Sequence, residues 1–168
     1  RSTGNTPCFY NHFVTDREEP FDQPGTPEEP KGHYIFDKPE PLWNFGHGKS
    51  YTTFDYVDCA LSDTLLAASD TLKVSVMIKN TGRCDGKEVV QLYVRDKVST
   101  VATPIQQLKA FQKVLVKSGE SQCVELSLPI AELALYNAKM EEVVEPGDFE
   151  IQIGAASDAV SYTHLRAH

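Results

Sequence analysis

The 168-residue sequence lacks features that mark several large classes of protein. No run approaches the roughly 18 apolar residues of a membrane helix, so we expect no membrane span. The net charge of -8 lacks the basic excess of a nucleic-acid-binding protein, which argues against a nucleic-acid partner. The chain begins at Arg1 without a charged and then apolar leader, so we expect either a removed signal segment or a parent protein that continues upstream.

Cysteine is scarce, and its spacing excludes two kinds of site. Because no two cysteines form a CxxC pair, a zinc ribbon and a thioredoxin-type motif are excluded. An even count permits disulfides, but a domain of this size does not need them. We therefore expect free and mostly packed thiols, with disulfide pairing as the alternative, at Cys8, Cys59, Cys84 and Cys123.

Motifs for other chemistries are also missing. The sequence has no G-x-S-x-G elbow, no P-loop and no dinucleotide fingerprint. His12, His33 and His47 share a region without a metal-ligand spacing, so we expect no metal site. We therefore predict that the chain binds no cofactor.

The composition and the periodicity of the chain change near residue 50. Residues 1–50 have poor periodicity, and the stretch REEPFDQPGTPEEPKG carries four prolines and two glycines, which predicts a loop or an extended segment. A structureless piece of this length is uncommon inside one compact domain, and it is expected as a connection between two bodies. We interpret residues 1–50 as a connector, residues 51–155 as a globular domain and residues 156–168 as an atypical tail.

Strand signals separated by turns begin at Tyr51. The stretch TLKVSVMIKN alternates with the period of a strand that has one buried face, and KEVVQLYVRD repeats the pattern. The stretch LKAFQKVLVKSGESQCVELSLP predicts two strands joined at Ser118-Gly119. PIAELALYN predicts a short helical turn that starts at Pro129, and EEVVEPGDFEIQIG predicts a last pair of strands around Pro146-Gly147. The apolar residues predicted to share a strand face are Leu72, Val74, Val76, Ile78, Val90, Leu92, Val94, Val124, Leu126, Leu128, Phe149, Ile151 and Ile153.

These signals define the fold class. About seven short strands over roughly 100 residues, with almost no helical periodicity, are typical of an all-β fold. We predict a two-sheet antiparallel sandwich of the fibronectin type III or immunoglobulin kind, preceded by an irregular connector. The Cys…Trp…Cys spacing of a true immunoglobulin domain is missing, because the only tryptophan, Trp43, precedes the sandwich.

Several stretches resemble glycoside hydrolase family 3, the family of many β-glucosidases and β-xylosidases. FGHGKSYTTFDY is similar to that family's FGYGLSYTTFEY signature, which lies just ahead of a C-terminal fibronectin type III-like domain. KNTGRCDGKEVVQLYVRD, PIQQLKAFQKVLVKSGES and EPGDFEIQIG resemble further family stretches in the right order, and TPCFYN is similar to the end of the preceding α/β domain. The resemblance covers about residues 5–154. Asn44, His47, Lys49 and Ala110 depart from the family's usual residues, which affects local loop shape and not the assignment.

The resemblance implies a function. It implies the C-terminal part of a glycosidase that hydrolyses terminal β-linked sugars, with this domain as a structural accessory. The implied partners are the catalytic domains of the same parent chain and, through the parent, a carbohydrate substrate; a periplasmic or secreted location is implied as well. The alternative is an independent carbohydrate-binding or adhesion module, for which a long apolar connector has no use.

The carboxyl pairs of the chain are poor catalytic dyads. Glycoside hydrolysis generally needs two carboxyls roughly 5–10 Å apart across a sugar. Neighbours in an extended chain point to opposite faces, so we interpret Glu18-Glu19, Glu28-Glu29 and Glu141-Glu142 as solvated charge. The resemblance implies that the family's catalytic residues lie before this segment, so we predict no catalytic residue here.

Tyrosines are the other candidate for sugar binding. Tyr51, Tyr56 and Tyr93 are a candidate stacking platform for a sugar ring. Positions in the core or on a sheet face are the favoured interpretation.

One stretch of the connector, PLWNFGHGKSYTTFDY, is too apolar for an ordinary linker and too rich in glycine for a strand or helix interior. The resemblance implies that it runs along a larger catalytic body. The alternative is that its aromatic residues cap the sandwich. Gly46 and Gly48 allow positive φ or close backbone approach at the entry. The residues predicted to contact a neighbouring domain are Phe36, Leu42, Trp43, Phe45 and His47.

The last residues, SYTHLRAH, have no turn signal and only weak alternation. We interpret them as foreign to the domain, with a genuine frayed terminus as the alternative.

Overall fold

The computed structural model describes residues 9–13, 27, 41–158 and 160–167 of the chain, and within them the structure is almost entirely β. No helix in this part of the chain is long and apolar enough to cross a membrane. The elements are β1 (Phe54–Leu61), β2 (Leu65–Leu66), β3 (Thr71–Asn80), β4 (Gly86–Asp96), β5 (Gln107–Val116), β6 (Ser121–Pro129), a 3-10 helix (Ile130–Leu133), β7 (Leu135–Tyr136), β8 (Glu142–Val143), β9 (Gly147–Gly154) and β10 (Val160–Ala167).

One sheet contains three antiparallel strands in the order β1-β3-β6. In its centre Leu72 lies opposite Leu128, and Val74 lies opposite Leu126. All four side chains are buried, because residues directly opposite each other in an antiparallel pair share one face of the sheet. The alternation in the sequence therefore places one apolar face inside and leaves a polar face outside.

The second sheet contains five strands in the order β2-β10-β9-β4-β5. The short strand β2 pairs parallel to β10, and the other neighbours are antiparallel. The apolar face of this sheet closes on that of the first sheet, which confirms the predicted two-sheet antiparallel sandwich. The buried core consists of Leu72, Val74, Val76, Ile78, Val90, Leu92, Val94, Val114, Val116, Val124, Leu126, Leu128, Ile130, Leu133, Phe149, Ile151, Ile153, Leu165 and Ala167.

Strand number and pairing differ from the sequence prediction. The described residues form ten strands rather than about seven. Two strands, β8 and β9, lie around Pro146-Gly147 as predicted, but they are not the last ones, and β8 pairs with β7 rather than with β9. Strand β9 instead lies between β10 and β4, where it contributes Phe149, Ile151 and Ile153 to the core as predicted.

The final residues form a strand that their weak alternation does not predict. Strand β10 pairs with β9 along its whole length, from Val160 opposite Gly154 to Ala167 opposite Gly147. Leu165 and Ala167 are each only 1% exposed. This pairing does not fit a frayed terminus. The foreign origin of SYTHLRAH stays a prediction, as does the division of the chain at residues 50 and 155.

A buried amide fixes the start of the sandwich. Asn80 is fully buried, and its Nδ2 donates to the carbonyls of Cys84 and Val116, both at 2.9 Å. Its Oδ1 accepts a hydrogen bond from Thr52 Oγ1 at 2.6 Å. A Cβ on Gly82 would lie 2.0 Å from Thr52 Oγ1, so the turn NTG approaches Thr52 only because residue 82 is glycine. The segment that follows the connector is thereby tied to β3 and β5.

The described cysteines are free thiols, but they are not mostly packed. Cys59 is half-buried, and burial raises the pKa of its thiol. Cys84 lies in an exposed turn and Cys123 on the outer face of β6, so the prediction of mostly packed thiols is wrong for these two. Cys8 lies outside the described residues.

Candidate interdomain surface

Four of the five residues predicted to contact a neighbouring domain are described, and we call them the connector face: Leu42, Trp43, Phe45 and His47. Leu42 is 69% exposed, Trp43 60% and Phe45 45%. His47 is exposed as well. The fifth residue, Phe36, lies outside the described residues. A group of exposed large apolar side chains is typical of a surface that binds another surface.

The backbone of the connector is held against the outer face of the five-stranded sheet. The Ser157 N–H donates to the Phe45 carbonyl at 2.9 Å. Gln91 Nε2 donates to the Gly46 carbonyl at 3.1 Å. The His47 N–H closes a turn by donating to the Asn44 carbonyl at 3.1 Å. The segment is therefore fixed in place while its large apolar side chains remain exposed.

Gly46 makes this close approach possible. Its φ is +82°, and a Cβ at this position would lie 2.0 Å from Gln91 Oε1. Gly48 has open space around it and a φ outside the positive region. The predicted need for glycine is therefore confirmed at Gly46 and wrong at Gly48.

A hydrogen-bonded pair of polar side chains is buried beneath the connector. Gln91 and Tyr93 belong to the outer face of β4, yet they are only 4% and 0% exposed. The Tyr93 hydroxyl donates to Gln91 Oε1 at 2.6 Å, and Gln91 Nε2 donates also to the Ala155 carbonyl. Burial, followed by the nearby charges of Tyr10 and Asp158, raises the pKa of Tyr93 to about 12. The phenol therefore stays protonated and serves as a donor at neutral pH.

A stacked pair of rings joins two of the described parts of the connector. Tyr10 and Phe45 have ring centroids 3.9 Å apart and an interplanar angle of 13°. Tyr10 also meets Tyr93 edge-on, with centroids 6.1 Å apart. Such ring pairs contribute about 0.5–1.5 kcal/mol beyond the area they bury. Residues 9–13 and 41–50 are thus held together over one part of the sheet.

The outermost rings do not cap the core. The rings of Trp43 and His47 lie 6.5 Å apart at 21°, and Lys49 Nζ lies 5.9 Å from the centroid of Trp43. No residue of the connector face belongs to the buried core cluster of the described chain. The structure therefore leaves Leu42 and Trp43 more than half exposed, whereas the Phe45 ring is partly covered by Tyr10.

A groove of about 490 Å³ lies beside the connector face. The residues that line it include Phe9, Trp43, Phe45, Asn11 and Gln106. Its volume and its mixture of apolar walls with a few polar groups are within the range of small-molecule sites. The groove can take an apolar side chain or a small polar ligand.

The described residues offer no assembled hydrolytic or metal site. They contain no cluster of three or more His, Cys, Asp or Glu side chains that could hold a metal ion. Of the three carboxyl pairs, only Glu141-Glu142 is described. Both residues are exposed, and Glu141 Oε2 accepts from Asn137 Nδ2 at 3.0 Å. The interpretation of this pair as solvated charge is confirmed, whereas Glu18-Glu19 and Glu28-Glu29 lie outside the described residues.

The three candidate stacking tyrosines do not form one platform. Tyr93 is fully buried, and Tyr51 is fully exposed. Tyr56 is half-buried, and its hydroxyl donates to Glu88 Oε1 at 2.9 Å. Positions in the protein interior or on a sheet face are therefore confirmed for Tyr56 and Tyr93.

The residues that hold the connector face in place were not predicted. They are Tyr10, Gln91, Tyr93 and Ser157. Alternation puts Gln91 and Tyr93 on the outward face of β4 but does not indicate that anything covers them. The only sequence signal is an amide and a large aromatic ring side by side on one face of a strand, where a buried hydroxyl requires a partner.

The chain is similar to known proteins over almost all of its length. It matches the family of fibronectin type III-like domains over residues 88–157. A β-xylosidase from Formosa agariphila is 45% identical over 129 residues, which cover 77% of this chain and 18% of the relative. A periplasmic β-glucosidase from Salmonella typhimurium is 36% identical over 163 residues, which cover 95% of this chain and 20% of the relative.

A solved structure is also similar to the chain over almost all of its length. The crystal structure of a β-glucosidase from Listeria innocua in complex with glucose matches with a TM-score of 0.82 and 34% identity, over 95% of this chain and 22% of that one. The chain thus spans about a fifth of the length of the relatives it matches.

Proposed function

We propose that this chain is the structural accessory domain of a glycosidase that acts on terminal β-linked sugars. The chain belongs to the glycoside hydrolase family 3 proteins, in their C-terminal, fibronectin type III-like part. The similar proteins named above are a β-xylosidase and two β-glucosidases, and most of their length lies outside the matched region. In this proposal the connector face docks on the catalytic domains of the same parent chain and braces them.

One observation carries the proposal: an apolar surface is both exposed and anchored. The carbonyls of Phe45 and Gly46 accept hydrogen bonds from the sandwich, so the segment keeps its position. Leu42 and Trp43 are nevertheless more than half exposed. Burial of apolar surface contributes roughly 25 cal/mol per Å², and an interdomain contact would recover this free energy.

The accessory role in this proposal is structural rather than chemical. Hydrolysis needs a positioned acid and a positioned nucleophile or base, and both side chains of the described carboxyl pair are exposed. We expect the purified chain to hydrolyse neither nitrophenyl β-glucoside nor nitrophenyl β-xyloside. Turnover that disappears in a Glu141→Gln variant would contradict this part of the proposal.

Removing the chain from the parent enzyme tests the bracing role. The expected result is that the remaining catalytic domains melt at a lower temperature and lose activity sooner on warming, because the surface that the connector face covers is left open. The intact parent enzyme is the control. Catalytic domains that melt and act identically with and without this chain would contradict bracing.

The groove favours a second candidate function, that of a carbohydrate-binding module. Its rings and its Asn11 and Gln106 amides are groups that can stack on a sugar and bond its hydroxyls. Since Trp43 is the only tryptophan, its fluorescence reports on the groove directly. A saturable change with cellobiose or xylobiose that Asn11→Ala weakens would favour this candidate. An unchanged spectrum favours the accessory domain.

A further inference from the structure

A second exposed apolar patch lies on the sandwich itself, on strands β4 and β5. Phe111 is 67% exposed and Leu115 54%. Val89, on the neighbouring strand, is half-buried between them. We call these three residues the β5 patch. Phe111 and Leu115 lie four positions apart on β5, so they point to the same side of the sheet, with Lys113 between them.

The β5 patch lies on the same face of the sheet as the connector. Phe111 is directly opposite Gln91 in the pairing of β4 with β5. Gln91 in turn donates its Nε2 hydrogen bond to the Gly46 carbonyl. Because directly opposite residues share one face, the β5 patch continues the surface that begins at the connector face.

Two lysines lie next to Val89, one across from it on β5 and one beside it on β4. In the strand pairing Lys113 is opposite Val89, and Lys87 is opposite Leu115. Both are exposed, and neither takes part in an ion pair within the described residues. On the other sheet, by contrast, Lys73 is paired with Glu125 at 3.1 Å. Two unpaired lysines on one face of a chain with a net charge of -8 complement a partner surface that has carboxylates around an apolar centre.

We propose that the β5 patch is a second docking contact for the rest of the parent chain, at a site on that chain with an apolar centre and a carboxylate rim. This inference rests on the proposed function and extends the docking surface from the connector onto β4 and β5. The occupant is the same chain because the matched relatives continue far beyond this region, which is 22% of the Listeria chain.

Tethering also favours this occupant over a second copy. A specific interface between free partners needs roughly 1,000 Å² or more of buried surface. A tethered partner has an effective concentration on the order of millimolar, so a small patch suffices. A second copy would moreover bring its own net charge of -8 together with the same unpaired lysines.

Thiol labelling of the full-length parent enzyme tests the inference. Phe111→Cys and Trp43→Cys are each compared with native Cys123, which is exposed on the opposite sheet and serves as an internal reference. Labelling by a maleimide is followed peptide by peptide in mass spectrometry. We expect the thiol introduced by Phe111→Cys to react at least about tenfold more slowly than Cys123, because a docked surface reacts only when it opens. The difference should disappear in denaturant.

The outcomes separate this inference from the proposed function. Rapid labelling of Phe111→Cys with slow labelling of Trp43→Cys overturns the second contact and leaves connector docking standing. Rapid labelling of both overturns connector docking as well. Protection that is lost on dilution, together with a dimer that dissociates, identifies a second copy as the occupant and overturns the inference.

A charge reversal covers the case in which Phe111→Cys fails to fold. Lys113→Glu places a carboxylate against the proposed carboxylate rim, whereas Lys79→Glu makes the same change on the outer face of the other sheet. We expect Lys113→Glu to lower the melting temperature of the parent enzyme more than Lys79→Glu does, and the difference to shrink in high salt. Equal melting temperatures overturn the inference.

Discussion

The two outer faces of the sandwich differ sharply, although the same alternation produces both. The outer face of the three-stranded sheet carries Lys73, Ser75, Lys79 and Glu125 and meets solvent. The outer face of the five-stranded sheet is partly covered by the connector, which buries polar side chains there and presents apolar ones in their place.

This difference shows that alternation along a strand defines two faces but not their surroundings. Apart from the half-buried Met77, the outward residues of β3 are charged or small and polar, so the face is stable in water. On β4 the outward Gln91 and Tyr93 are buried, because Gln91 donates to the Gly46 carbonyl of the connector and Tyr93 donates to Gln91. Polar groups that are satisfied internally beside exposed apolar side chains are what the proposed interdomain contact would require of this face.

The largest loss of stability is expected when the Gln91 amide is removed from the covered face. Gln91→Ala removes the hydrogen bonds to the Gly46 and Ala155 carbonyls and the acceptor of the Tyr93 hydroxyl. Since each buried group left unpaired costs about 1–3 kcal/mol, we expect the free energy of unfolding to fall by about 3 kcal/mol. Urea unfolding of the 168-residue chain measures it. The control is Ser127→Ala, which removes an exposed polar side chain from the outer face of the three-stranded sheet, and equal effects of the two changes would remove the distinction between the faces.

A smaller effect is expected from detaching the connector at its glycine. Gly46→Ala strains a backbone with φ +82° and places a methyl group against Gln91, which costs about 1–3 kcal/mol from the backbone alone. Gly48→Ala meets open space and is the matched control. We expect the Ser157 amide, which donates to Phe45, to exchange faster in Gly46→Ala only. Unchanged exchange would mean that this bond does not depend on Gly46.

A carboxyl group between the two sheets provides a pH-dependent test. Burial raises the pKa of Glu88, although the hydrogen bond from Tyr56 opposes this shift. Because the folded pKa is raised, the contribution of Glu88 to stability is fully present below its unfolded pKa and is lost as pH rises through the folded value. We expect Glu88→Gln, which keeps an oxygen for Tyr56, to raise the melting temperature at neutral pH and to change it little at about pH 3.

Exposed Glu142→Gln is the control for that experiment. It should leave the melting temperature nearly unchanged at both pH values. A lower melting temperature of Glu88→Gln at neutral pH would show that the charged Glu88 stabilises the fold.

The smallest effect is expected on the solvent face. Lys73 and Glu125 form an ion pair at 3.1 Å, but their side chains are 58% and 54% exposed. Exposed pairs contribute about 0.2–1 kcal/mol, so Lys73→Ala should change the free energy of unfolding by no more than that. The effect should vanish in about 1 M salt, where charges are screened within about 3 Å. A larger loss that persists in salt would show that this face is not simply solvated.

Much of the fold was predictable because its cause is local. The apolar residues of β3 alternate without interruption, and Leu72, Val74, Val76 and Ile78 are all buried as expected. The turn at Ser118-Gly119 was equally predictable from its residue types, and in the structure Gly119 adopts φ +77°. Such signals need only neighbouring residues and the period of a strand.

The cover over β4 was not predictable because its cause is remote. Gln91 bonds to a residue 45 positions away, and Tyr10 stacks on Phe45 across a long intervening segment. Strand β10 was missed for a different reason: its pairing with the adjacent β9 is local, but its own sequence alternates weakly. Of the site, the sequence indicated the apolar residues of the connector but not the polar atoms that anchor them.

The central claim is that the connector face is covered in the parent enzyme, and Trp43→Ala tests it most directly. The free energy of unfolding is compared for wild type and variant in two proteins, the 168-residue chain and the full-length parent. Trp43 is 60% exposed in the chain alone, so we expect the free energy of unfolding to change there by no more than about 0.5 kcal/mol. In the parent we expect a loss of about 3–5 kcal/mol, the cost of truncating a buried tryptophan. Equal and small changes in both proteins would contradict the claim, and a loss of several kcal/mol in the chain alone would place Trp43 in the sandwich rather than at an interdomain contact.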